Sequence, residues 1–94
     1  MTRLHETHRR INAEIAQEKA AALGRAGERL ETALAHVAAV GRRLDAAPDG
    51  DAEARLLGEY ETARVRAHHA RLALLIQREA VGLLRVYPLP NVDE

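Results

Sequence analysis

The sequence predicts an all-α fold: two long helices folded back on each other as an antiparallel hairpin. Three observations carry that expectation. The strong helix formers Ala, Leu, Arg and Glu dominate two long segments. One strong internal break, Pro48-Asp49-Gly50-Asp51, separates them. Apolar residues recur in steps of three and four through both segments, as one face of a helix requires. The expected layout is a single domain over residues 1–94, with helices over 3–46 and 51–86, a turn over 47–51 and an irregular tail over 87–94.

At ~1.5 Å rise per residue, each helix is on the order of 50–65 Å long. The first carries an apolar stripe at Ile11, Ile15, Ala22, Ala26, Leu30, Ala33, Val37, Val40 and Leu44. Its mean spacing of about 3.67 residues per turn implies a nearly straight helix. A second flank, Ala16, Ala20, Leu23, Gly27, Leu34, Ala38 and Gly41, is mostly small. Gly24, Gly27 and Gly41 each cost ~1 kcal/mol relative to Ala in a helix, so close packing is the expected compensation. At the turn, Asp49 or Asp51 is placed to cap the second helix, and Glu53 sits favourably in its first turn. The second helix holds a stricter seam: Leu56, Tyr60, Ala63, Ala67, Ala70, Leu74, Gln77, Val81 and Leu84. A further stripe, Val65, His69, Leu72, Ile76, Leu83 and Val86, lies about 140° around the same helix.

Composition sets limits on function. The chain has 94 residues, no Phe, no Trp and two Tyr, so it buries little apolar area per residue. It has no cysteine either, which removes disulfide stapling, thiol catalysis and Cys-based zinc sites. Oligomerisation is then the expected route to stability. Two helices cannot cover both apolar stripes of the second helix. A homodimeric four-helix bundle covers them with no extra sequence, with Val65, His69, Leu72, Ile76 and Leu83 at the dimer interface. Fourteen basic and fourteen acidic residues cancel, so global charge does not point to nucleic acid. No apolar run is long enough to span a bilayer, and MTRLHETHRR has no apolar core of a secretory signal, so a cytoplasmic location with no membrane partner is expected.

Two stretches, EKAAALGRAGERLETAL at 18–34 and IQREAVGL at 76–83, carry a resemblance. The positions are Leu23, Gly24, Arg25, Gly27, Leu30 and Glu31, then Gln77, Arg78, Glu79, Ala80, Gly82 and Leu83. In these the chain resembles a family of small all-helical bacterial proteins, best represented among alphaproteobacteria, for which no activity is assigned. The resemblance implies the helical fold and no chemistry.

Each polar feature has a structural reading beside a functional one. His5 and His8 are three residues apart with Glu6 between, a weak start for a metal site. No further ligand is near in sequence, and an exposed basic N-terminus is the favoured reading; no cofactor or metal is expected. His68 and His69 read as imidazoles at an interface edge. Arg64, Arg71, Arg78 and Arg85 form a row at a spacing of seven, the expected partner contacts. Facing residues in the hairpin should have numbers that add to about 97, from the turn centre near residue 49. That sets Arg78 level with Glu18, Arg85 with Glu14, and Lys19 with Glu79. Lys19, Gln77 and Glu79 are accordingly read as polar residues that set register.

Hydroxyl nucleophiles are scarce, with four Thr and no Ser, and neither HExxH nor a phosphate-cradling Gly-rich loop is present. The expectation is a noncatalytic interaction or regulatory protein, a homodimer with a further protein partner. Two alternatives stay open. One is a nucleic-acid-associated protein that uses the Arg row. The other is a small phage or mobile-element inhibitor of a bacterial nucleic-acid machine, in the manner of anti-CRISPR proteins.

Overall fold

The computed structural model describes residues 2–86, with side chains through residue 83. It is a two-helix hairpin: α1 runs Arg3–Asp45 and α2 runs Gly50–Val86. No strand occurs among the described residues. The tail over 87–94 lies outside the described residues, as do the side chains of Leu84, Arg85 and Val86.

Local chemistry explains both helix ends at the turn. The last turn of α1 places Arg42 and Arg43 beside the negative end of the helix dipole. The Ala46 N–H donates to the Arg42 carbonyl at 3.2 Å, and the Ala47 N–H to that of Leu44 at 3.2 Å. Pro48 cannot supply an N–H to continue the ladder. Asp49, not Asp51, then caps α2: its Oδ1 accepts from the Ala52 N–H at 2.8 Å. Asp51 and Glu53 occupy the first turn of α2, where their charge suits the dipole. At the far end, Thr2 Oγ1 accepts from the His5 N–H at 3.1 Å and caps α1.

The two helices pack along one seam. Ala26, Val40, Leu56, Ala63 and Ala67 are buried, the last at 7% exposure and the others lower. They belong to the two stripes expected to face each other. Tyr60, Ala70, Leu74, Gln77 and Val81 continue the α2 side half-buried. On α1 the stripe departs from expectation at its N-terminal end. Ile11 is 45% exposed, while His5 is buried and His8 and Asn12 are half-buried. His5, His8, Asn12 and Ile15 follow one another at steps of three, four and three, so they continue the seam face by helical geometry. An exposed basic N-terminus at His5 and His8 is therefore not what the fold holds.

The glycines also depart from expectation. A methyl at Gly41 would stand 3.3 Å from the Tyr60 ring, so that position is close-packed. Nothing lies within 4 Å of such a methyl at Gly24 or Gly27. Both lie off the seam, where no second backbone approaches. Gly24→Ala should therefore stabilise the protein by about 0.5–1 kcal/mol, through helix propensity alone. A thermal midpoint that falls on this substitution would show a contact at Gly24 that the fold does not contain.

The result is a rod of 73 × 16 × 13 Å with a radius of gyration of 21.3 Å. A compact domain of this length has a radius of gyration of about 12 Å. No helix of the described residues is long and apolar enough to cross a membrane.

Candidate functional site

A two-helix rod has two edges along its seam and an outer face on each helix, and the side chains sort cleanly among them. The first edge carries the Arg row. Arg64, Arg71 and Arg78 are exposed. Arg64 and Arg71 line a cleft of about 330 Å³ with Leu30, Leu34, Val37, Ala67 and His68. Arg85 lies in α2, its side chain outside the described residues.

The pairing expected across the seam is not formed where the side chains are described; the expected Arg85–Glu14 pair lies outside the described residues. Neither an Arg78–Glu18 nor a Lys19–Glu79 ion pair occurs among the described residues, and Lys19 and Glu79 are both exposed. The physical reason is the lean of helical side chains. Every side chain in an α-helix points toward its own N-terminus. In an antiparallel hairpin, two side chains at one level therefore lean apart. Those that meet lie at higher numbers on both helices. Arg43 reaches Glu59 at 3.2 Å, and Gly41 faces Tyr60, pairs whose numbers total 102 and 101. Lys19 and Glu79 total only 98. By the same shift Arg64 falls beside Val37 and Arg71 beside Leu30, as the shared cleft shows. Across the seam, Arg64 and Arg71 thus border leucine and valine of α1, while Glu61 of α2 lines a neighbouring cleft with Arg64.

Gln77 lies on the seam, as its heptad position requires, and is half-buried. Its Oε1 is buried and has no hydrogen-bond partner among the described residues. An unmet buried acceptor costs about 1–3 kcal/mol. Gln77→Leu should accordingly raise stability by about that amount, measured by chemical denaturation. A loss of stability would show that the amide is satisfied in the assembled protein.

The outer face of α2 is apolar. Val65 is 53% exposed, Leu72 44%, Ile76 64% and Leu83 52%. His69 stands exposed among them, its ring centroid 6.2 Å from that of His68. Leu34, Leu57 and Leu75 are also about half exposed and widen the apolar surface toward the Arg-row edge. Sequence reasoning left Leu57 and Leu75 out. They fall between the two α2 stripes, and only the finished packing shows that no residue of α1 covers them.

The opposite edge was not anticipated at all. There Arg25, Arg29 and His36 from α1 and Arg66 from α2 line a groove of about 830 Å³ over Ala33, Ala63 and Ala70. A signal existed in α1: positions 25, 29, 32 and 36 follow steps of four, three and four, one flank of a helix. Arg66 joins them only through the hairpin. No group of three or more His, Asp and Glu side chains able to hold a metal ion occurs among the described residues. No family model, curated protein or solved structure matches the chain.

Proposed function

We propose that the protein is a noncatalytic interaction module that works as a homodimeric four-helix bundle. The observation that carries this reading is the bare apolar stripe of Val65, Leu72, Ile76 and Leu83, on the side of α2 turned away from the seam. The seam itself is a thin core. Three of its five buried apolar residues are alanine, and Val40 is the largest side chain below 2% exposure. The surface area supports the same reading. The chain exposes 7224 Å², against about 5,400 Å² for a compact monomer of this mass. The excess per chain is about twice the ~800 Å² that a standard interface removes from each partner, and is of the size that a large obligate homodimer interface covers. A second copy presenting the same stripe is self-complementary by two-fold symmetry and needs no other sequence.

In this reading Val65, His69, Leu72, Ile76 and Leu83 form the dimer interface, and the Arg row stands at its border. Arg64, Arg71, Arg78 and Arg85 then present a rigid line of guanidinium groups to an acidic protein surface. Arg64, Arg71 and Arg78 make no ion pair among the described residues, which leaves their forks available. Light scattering at micromolar concentration tests the dimer. The expected mass is twice the 10.3 kDa chain. A helical, cooperatively melting species of one chain mass would sink the reading.

A further inference from the structure

We infer that the groove between Arg25, Arg29 and Arg66 is a binding site for a polyphosphate group, two or more phosphoryl units long, free or carried on a nucleotide. Arg25 and Arg29 are one helical turn apart on α1, and Arg66 comes from α2 across the seam. Like charges four residues apart on a helix repel. Here two of them line one groove with a third arginine, over small side chains, Ala33, Ala63 and Ala70, with Ala63 2% exposed. A single carboxylate, Glu28, stands on the rim. None of the three arginines makes an ion pair among the described residues. Glu59, which lines the adjoining cleft with His36 and Arg66, already meets Arg43 at 3.2 Å and Arg55 at 3.7 Å. The groove therefore gathers three fixed positive charges and supplies one negative one.

The chemistry selects the ligand class. Guanidinium is planar and always charged, and its donors match the oxygens of a phosphoryl group in pairs. Three forks spread over two helices fit an anion with several phosphoryl groups better than a single carboxylate. The groove volume of about 830 Å³ lies in the range of ligand sites, about 300–1,000 Å³. His36 lines the groove and the adjoining cleft and adds a ring nitrogen. The groove opens along the edge away from Arg64 and Arg71 and does not use the apolar stripe, so this inference stands independently of the dimer.

Isothermal titration of the full chain with sodium tripolyphosphate, with ATP and with a glutamate-rich peptide tests it. Tripolyphosphate and ATP are expected to bind at one site per chain. ATP binding more tightly than tripolyphosphate assigns the nucleotide form, and equal binding the bare polyphosphate; either supports the shared chemistry. Arg29→Gln and Arg66→Gln should each weaken binding about tenfold or more, as loss of a charged hydrogen bond does. The double variant Arg71→Gln/Arg78→Gln, on the other edge, should leave it unchanged. All these side chains are exposed, and circular dichroism confirms that each variant stays helical. No heat and no shift in melting at millimolar tripolyphosphate overturns the inference. So does equal weakening by the Arg71/Arg78 variant, which would mean diffuse charge attraction, or equally tight binding of the glutamate peptide.

Discussion

Replacing Leu72 and Ile76 together by glutamate will convert a two-chain species into one of a single chain mass. Both residues are about half exposed on the isolated hairpin, so the substitution asks little of the seam between α1 and α2. Across a two-fold interface each substitution counts twice. Four carboxylates would lose their hydration in an apolar contact and repel one another there, at several kcal/mol in all. Even about 4 kcal/mol in total weakens a dimer roughly a thousandfold. The thermal midpoint carries a second readout. A dimer melts at a temperature that rises with protein concentration, and a monomer does not. The wild type should show that dependence and the variant should lose it. A wild type and a variant of equal mass, with melting independent of concentration in both, would mean that the stripe is not a self-interface.

The second large effect concerns the seam. Leu56 and Leu57 are neighbours of the same type, yet Leu56 is 4% exposed and Leu57 48%. Truncating a buried leucine to alanine costs about 2–5 kcal/mol, including the cavity left behind. In a chain of this length that lowers the melting temperature by at least about 10 °C. Leu57→Ala removes the same atoms from a half-exposed site and should cost well under half as much, about 1 kcal/mol or less. The contrast tests the rotation of α2 directly. Similar losses at both positions would mean that α2 is turned about its axis from the orientation described.

Much of the fold was legible because its causes are local. Helix propensity marked both helices, and Pro48 with Asp49 marked the turn. The three-four spacing picked out the buried positions Ala26, Val40, Leu56, Ala63 and Ala67. The reading failed where periodicity and chemistry disagree. Ile11 is apolar and was assigned to the seam; His5, His8 and Asn12 are polar and were not. Helical geometry, which does not depend on side-chain chemistry, puts the polar residues on the buried face there. Gly24 and Gly27 were read as signs of close packing, but a missing side chain is also compatible with an open flank.

The candidate sites were legible only in part. The Arg row and the second apolar stripe repeat at regular spacing within one helix, so both could be seen in one dimension. The pairing of that row could not. Whether Lys19 meets Glu79, or Arg43 meets Glu59, depends on how side chains lean at the crossing of two helices, a displacement of about one helical turn between level and contact. The groove of Arg25, Arg29 and Arg66 has the same origin. Arg66 lies about forty residues from Arg25 and Arg29 in the chain and joins them only when the hairpin closes. The sequence by itself determined two amphipathic helices, the break between them and the faces they turn toward each other, because backbone propensity and apolar period are properties of each segment alone. Only the tertiary structure decided which charges pair, which stay free and which edge gathers them, because those outcomes depend on the rotation and the axial offset of one helix against the other.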